Sequence, residues 1–173
     1  MDVKTAFLNG VIEEEVYIEQ PQGFEVEDRR THVCKLKKAL YSLKQAPRAW
    51  YGKIDSFLTS LDFIKSKADP NLYFKVIEDE PVILLLYVDD LFLTGSEKQI
   101  VECKKKLTEE FEMKDFGLMH CLLGLEVWQN SKGRFLHQGK YAVEILKRFD
   151  MLNCKAMTTP MDTNMKLLSD ESS

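Results

Sequence analysis

The sequence predicts an α+β fold, and two observations carry that prediction. Short apolar runs suited to strands recur at 16–20, 33–36, 72–77, 82–88, 91–93 and 122–128, separated by turn residues such as Pro21, Gly23, Asn71, Gly95 and Asn130. Between and after them, residues 47–61, 97–111 and 140–151 carry apolar side chains at helical spacing. Several strands with helices of this length make an α+β domain of sheet and packed helices.

Length and composition set the bounds. The chain has 173 residues, 45% hydrophobic and 30% charged, which is ordinary for one globular domain with a sizeable core. No apolar run approaches the roughly 18 residues of a membrane span, and no basic-then-apolar leader opens the chain. Cys34, Cys103, Cys121 and Cys154 are scattered without a CxxC pair, so free thiols in a reducing compartment are expected rather than a zinc site. His32 and His120 are read as packing or surface residues. The net charge of −4 does not advertise a nucleic-acid binder, but the charge is segregated. Residues 13–28 hold seven acidic side chains and no Lys or Arg, whereas residues 29–53 hold eight Lys or Arg and no acid. That basic block is either a phosphate-facing surface or a solvated face balancing its acidic neighbour.

Taken in order, residues 1–8 read as a short strand running into the Asn9-Gly10 turn. The chain starts inside an element, which suggests a truncation. A strand at 16–20 ends at Pro21, and 25–31 is a polar loop. A strand at 33–36 precedes a short helix at 37–45. Pro47 suits the first turn of the next helix, whose stripe is Trp50, Ile54, Phe57, Leu58 and Leu61, read as core. Asp69-Pro70-Asn71 marks a turn. The strand at 72–77 pairs across a 78–81 loop with that at 82–88. Ser96 is the expected N-cap of the next helix, with Gln99 as capping-box partner. Its stripe is Ile100, Cys103, Leu107 and Phe111. Residues 113–117 are a connector, 122–128 a strand, 130–133 a turn and 134–137 a return strand. The last helix, 140–151, is expected to turn Tyr141, Ile145, Leu146 and Phe149 inward. Residues 155–173 lose periodicity and read as a linker or tail.

The stretch V-I-L-L-L-Y-V-D-D-L-F-L-T-G from Val82 carries the most chemistry. Two apolar strands meet at Asp89-Asp90, which a tight turn would hold at the tip of a buried hairpin. Aspartates in turns are commonly only solvated. A third carboxylate, Asp2, stands beside Val3, Ala6 and Phe7 on the first strand. If that strand neighbours the hairpin, three carboxylates converge at one sheet edge. Their repulsion calls for a cation, and hard oxygen ligands suit Mg²⁺ bound together with substrate phosphates. Two such ions would activate a hydroxyl nucleophile and stabilise a pyrophosphate leaving group.

Six runs in order carry a resemblance. They are D-V-K-T-A-F-L-N-G from Asp2, E-E-E-V-Y-I-E-Q-P from Glu13, K-K-A-L-Y-S-L-K-Q-A-P-R-A-W-Y from Lys37, A-D-P-N-L-Y from Ala68, L-Y-V-D-D-L from Leu86 and L-L-G-L-E-V from Leu122. Through them the sequence resembles the reverse transcriptase domain of copia-type LTR retrotransposons, from residue 1 to about 161. The resemblance implies a right-hand polymerase palm with partial fingers and the start of a thumb over 1–154, and an antiparallel sheet carrying the catalytic carboxylates. Residues 155–173 would lead toward an RNase H domain. It implies RNA-directed DNA synthesis from dNTPs on an RNA or DNA template-primer. Two Mg²⁺ ions, with Mn²⁺ as the alternative, would be held mainly by Asp2 and Asp89, with Asp90 in support. Phe7 would exclude a ribose 2′-OH. Tyr41, Ser42, Lys44, Gln45 and Pro47 would pack against nucleotide and template, with Ser42 where the family carries Gly. Leu123, Gly124 and Leu125 would grip the primer end, and 140–151 would be a thumb helix. The parent would be a Pol polyprotein with fingers, RNase H and integrase, working in the cytoplasm within a virus-like particle, or in the nucleus, and not at a membrane. With the N-terminal fingers missing, the isolated chain is expected to have little or no polymerase activity. The alternative is a catalytically inactive remnant that binds nucleic acid or a protein. A nucleotidyl cyclase-like palm also uses paired carboxylates but leaves the Lys37 run unexplained.

Overall fold

Val82, Leu84 and Leu86 are buried while Pro81, Ile83 and Tyr87, which adjoin them in sequence, are exposed. That alternation makes 80–87 a strand covered on one face only. The computed structural model describes residues 1–26, 32–158 and 161, and falls into two compact units, Met1–Gly117 and Leu118–Ser173. Arg29 and Arg30 of the basic block, most of the 25–31 loop and most of the 155–173 tail lie outside the described residues.

The first unit runs β1 (Asp2–Val3), a 3-10 turn (Ala6–Asn9), β2 (Tyr17–Ile18), β3 (Cys34–Lys35), α1 (Ala46–Ser60), β4 (Ile64–Lys65), β5 (Leu72–Ile77), β6 (Glu80–Tyr87), β7 (Asp90–Thr94), α2 (Glu97–Glu110) and β8 (Met113–Lys114). Six of these strands form an antiparallel sheet in the order β4-β5-β6-β7-β1-β8, while β2 and β3 pair separately. This is a mixed helix and antiparallel-sheet fold, as expected. One face of the sheet supplies Val3, Tyr73, Val82, Leu84, Leu86 and Leu91 to a core completed by Trp50, Ile54 and Leu58 of α1 and by Cys103 and Leu107 of α2. Each such leucine, fully buried, contributes roughly 1.5–3 kcal/mol. The other face carries Phe74, Val76, Ile83 and Tyr87, all exposed, so the apolar hairpin is half covered rather than enclosed on both sides.

α1 begins one residue before Pro47, whose fixed φ suits the first turn. It ends where Asp62 adopts φ 63 and the Phe63 amide returns to the Leu58 carbonyl at 3.1 Å, a left-handed stop. Several expectations are corrected. The first strand stops at Val3, because the Lys4 and Thr5 turn, with Thr5 at φ 50, lifts the chain into the 3-10 turn. Residues 37–45 form an extended bridge, Val11 opposite Lys38, and then turns, instead of a helix. Their Leu36, Ala39, Leu40, Leu43 spacing mimics a helix, but the Ala39 amide bonds to the Gly10 carbonyl at 2.9 Å and Ser42 sits at φ 76. The 78–81 loop shrinks to Glu78-Asp79, both at positive φ, and Pro81 pairs with Val76 inside the ladder. Residues 113–117 include β8, which adds to the sheet beside β1. No capping box forms at α2, since the Ser96 side chain makes no cap bond and buried Gln99 instead donates to the Ile77 carbonyl at 2.9 Å.

The second unit holds β9 (Cys121–Leu122), β10 (Leu125–Asn130), β11 (Gly133–His137) and α3 (Gly139–Arg148), with the sheet ordered β11-β10-β9. The single strand expected at 122–128 is two strands, because Leu123 at φ 49 and Gly124 at φ 83 make a tight turn that pairs Leu122 with Leu125. α3 buries none of its residues, so Tyr141, Ile145, Leu146 and Phe149 face outward, Phe149 at 66% exposure. The stripe is amphipathic as expected, but among the described residues its apolar side chains stay exposed.

Candidate functional site

The register of β1 decides the site. Met1 and Leu91 exchange backbone hydrogen bonds, each 2.8 Å, and the Val3 amide donates to the Asp89 carbonyl at 2.8 Å. Asp2 therefore stands directly opposite Asp90 in a non-hydrogen-bonded pair, the closer kind, with side chains on one face. Asp90 is opposite Tyr87 and Asp2 opposite Lys114. A row Tyr87–Asp90–Asp2–Lys114 thus crosses four strands on the open face, because Val3 and Leu91, the neighbours of Asp2 and Asp90, point into the core.

The tip differs in detail from an Asp-Asp turn. The two turn residues are Val88 and Asp89, and Asp90 is already the first residue of β7. Val88 sits at φ 53, an outlier for a β-branched residue. Its carbonyl accepts a hydrogen bond from the Trp50 indole Nε1 at 2.6 Å. The three aspartates are each part-buried. Burial, then the negative charges of Asp89 and Asp2, hold the Asp90 carboxyl above the usual carboxylate range.

This donor set fits a hard divalent cation. Three carboxylates share one sheet end, and the charge repulsion felt by Asp90 is what a cation would reverse. The side chains are not gathered into a finished cage: among the described residues no group of three or more His, Cys, Asp or Glu is arranged to hold a metal ion. Among the same residues no helix is long and apolar enough to cross a membrane.

The other candidate residues fall into three places. Phe7, on the 3-10 turn that follows β1, stacks on Tyr41 with ring centroids 5.1 Å apart and planes tilted by 55°. Residues 34 and more positions apart in sequence are so brought together. Ser42 follows at φ 76, in the left-handed region that glycine favours. Lys44 is exposed, Gln45 is the N-cap of α1, and Pro47 is exposed in its first turn. Gly10 closes this region against α1, where an added Cβ would lie 2.7 Å from the Trp50 amide nitrogen. Leu123 and Gly124 form the β9–β10 turn of the second unit, with Leu123 exposed, and Leu125 opens β10. Within the basic block, Lys35 pairs with Glu15 and Lys53 with Glu110, so these two balance local acids.

Sequence reasoning missed Lys114 as a neighbour of the aspartates and took Trp50 for core alone. A signal for Lys114 existed. Phe111 and Met113 inward with Glu112 and Lys114 outward is a period-two pattern, hidden inside what read as a connector. For Trp50 the sequence held no signal, because a buried indole's hydrogen-bond partner is chosen by tertiary packing.

A family described as reverse transcriptase (RNA-dependent DNA polymerase) matches residues 1–163. The chain is 47% identical to a retrovirus-related Pol polyprotein from transposon TNT 1-94 of Nicotiana tabacum, over 96% of the chain and 13% of that protein. It is 39% identical to the Pol polyprotein from transposon RE1 of Arabidopsis thaliana, over 96% of the chain and 12% of that protein. It is 34% identical to a putative transposon Ty5-1 protein of Saccharomyces cerevisiae, over 99% of the chain and 56% of that protein. The chain thus spans about an eighth of the two plant polyproteins. No solved structure gives a significant match.

Proposed function

This chain belongs to the reverse transcriptase (RNA-dependent DNA polymerase) family, and we propose that it is the catalytic-carboxylate segment of a copia-type retrotransposon Pol polyprotein, acting in RNA-directed DNA synthesis. The observation that carries the proposal is the register Asp2 opposite Asp90 with Asp89 in the adjoining turn. On this reading residues 1–154 are palm, partial fingers and the start of the thumb, and 155–173 lead toward RNase H. The fingers, RNase H and integrase belong to the rest of the polyprotein, at work in a cytoplasmic particle.

Asp2 and Asp89 would hold two divalent ions, Mg²⁺ first and Mn²⁺ as the alternative, with Asp90 in support. When bound, such ions supply activation of a hydroxyl nucleophile and neutralisation of phosphate charge. The chain's own residues then position the substrates. Phe7, braced by Tyr41, presents an aromatic wall that excludes a 2′-OH sterically. The 41–47 segment packs against the dNTP and templating base. Lys114, the cross-strand neighbour of Asp2, has its ammonium over the Phe116 ring at 4.9 Å and would have to swing from there to meet phosphate oxygens. Leu123-Gly124-Leu125 would contact the primer end, and α3 the duplex backbone.

The test is primer extension on poly-rA/oligo-dT with dTTP and Mg²⁺. It is run on the purified chain and on the tobacco-type Pol polyprotein with this chain replacing its matching segment. The expected result is extension by the polyprotein, lost with Asp89→Asn, and little by the chain alone. Extension that survives Asp89→Asn would overturn the assignment. A second reading, a non-catalytic remnant that binds nucleic acid or a protein, is favoured by Ser42 at φ 76 in the nucleotide-contacting segment. It predicts template-primer binding without extension by either protein.

A further inference from the structure

We propose that Trp50 is a positioning residue for the Val88–Asp89 turn: its indole N–H holds the Val88 carbonyl and so fixes where the Asp89 carboxylate stands. The inference rests on the reading of Asp89 as a metal-holding carboxylate. It starts from a local conflict. A two-residue hairpin turn with a positive φ at its first position favours Gly, Asn or Asp there. This chain has Val88, at φ 53, and a β-branched side chain resists that conformation. Nothing within the turn's own sequence favours it, so support must come from outside.

The support is a single directed bond. Trp50 is 2% exposed, and its Nε1 reaches the Val88 carbonyl at 2.6 Å. That carbonyl belongs to the peptide joining Val88 to Asp89, so holding the oxygen orients the plane from which Asp89 departs. The indole cannot swing to release it. Its ring meets Phe111 edge-on at 5.3 Å, and Phe111 in turn meets Phe57 edge-on at 5.2 Å. Lys53, one turn of α1 further, sits over the outer side of Phe111 at 5.9 Å.

Trp50 also touches the other limb of the site. The Gly10 backbone is pressed so closely onto α1 that a Cβ there would fall 2.7 Å from the Trp50 amide nitrogen. Gly10 ends the segment that leaves β1 just after Asp2. One rigid residue therefore meets the chain that carries Asp2 through its backbone and the turn that carries Asp89 through its side chain. The spacing of the two carboxylates is referenced to a common fixed point. A buried tryptophan that only filled volume would need the ring and not the N–H.

Trp50→Phe separates these roles, since it keeps an aromatic ring against Phe111 and removes the donor. Val88→Asn is the second variant, because Asn accepts positive φ and makes the turn favourable without outside support. The full chain is used throughout. Two readouts need no polymerase activity. In metal-free protein, the Trp50 indole N–H is expected to exchange with solvent at least about a hundredfold more slowly than that of Trp128, which is 66% exposed. Trp50→Phe should then shift the Val88, Asp89 and Asp90 amide resonances. In a titration with Mn²⁺ alone, followed by relaxation of water protons, Trp50→Phe should weaken binding about tenfold, the scale typical of residues that orient metal ligands. Adding Val88→Asn to Trp50→Phe should recover most of that loss.

Wild-type Mn²⁺ affinity in Trp50→Phe, with the three amides unmoved, overturns the proposal. So does a loss of affinity that Val88→Asn fails to rescue, because the loss would then come from disturbed packing. If the wild-type chain binds no Mn²⁺ at the aspartates, the metal reading of the site fails. The hold on the turn is then decided by indole exchange and amide shifts, and fast exchange overturns it.

Discussion

Neutralising Asp90 should stabilise the metal-free protein, which is the opposite of what most substitutions at a part-buried position do. Asp90 carries a desolvation cost from burial, and repulsion from Asp89 and Asp2 adds to it. Asp2 is its direct cross-strand partner, which puts the two Cβ atoms about 5 Å apart and sets the scale for the charge separation. At an effective dielectric constant near 20, two unit charges at that distance repel by about 3 kcal/mol. The groups remain partly solvated and are screened by salt, which reduces the net effect to about 1 kcal/mol. Asp90→Asn should therefore raise the melting midpoint by about 2–4 °C for a chain of this size. The pH dependence gives the sign. A carboxyl whose folded pKa lies above its ordinary value of 3.8 costs the native state most once it is ionised, above the folded pKa. The cost falls as pH drops through that value and is absent below about 3.8, where both states are protonated. The gain from Asp90→Asn should be full at pH 7 and gone at pH 3.5. Circular dichroism melts in EDTA and low salt measure it, and 10 mM Mg²⁺ should stabilise the wild type more than the variant. A lower midpoint for Asp90→Asn at pH 7, or an equal gain at pH 3.5, would refute the electrostatic account.

Three further outcomes follow from other parts of the structure. Ser42→Gly should raise urea stability by about 0.5–1 kcal/mol at unchanged m-value, because relief of the φ 76 strain exceeds the added chain entropy; a loss would show that the Ser42 side chain supports the turn. In a thiol-reagent time course, exposed Cys121 and Cys154 should react at once, while Cys103, buried and pushed up to about 11, should wait for urea. The Glu126 carboxylate accepts the Lys140 amide at 2.9 Å, and that bond first holds its pKa below 4.5. Its support of the start of α3 should be present above pH 4.5 and fade as pH falls through the folded value. Amide exchange at the start of α3 should accelerate in the same way in Glu126→Ala, and unchanged exchange there would remove Glu126 from that role.

Sequence periodicity was most reliable where local propensity and burial agree. Pro47 with Trp50, Ile54 and Leu58 could only be a one-sided helix, and the 72–94 stretch could only be strands broken by short turns. Periodicity misled where spacing imitates another element. The 36–43 leucines and alanine copy a helix, but a backbone bond from Ala39 to Gly10 and the positive φ of Ser42 impose turns. The α3 stripe was legible, yet whether it is covered depends on what packs beside it, which no local pattern contains.

The chain by itself determined the mixed helix and sheet class and the family, and it offered the three aspartates as candidates, because these rest on residue type and order. Only the tertiary structure decided that Asp2 faces Asp90 rather than Asp89, that Tyr87 and Lys114 extend the same row, and that Trp50 reaches the Val88 carbonyl. Each of these is a long-range pairing. A shift of one residue in register would turn every side chain of a strand to the opposite face, and that choice is made by the buried set Val3, Leu91 and Leu86 packing together under α1 and α2.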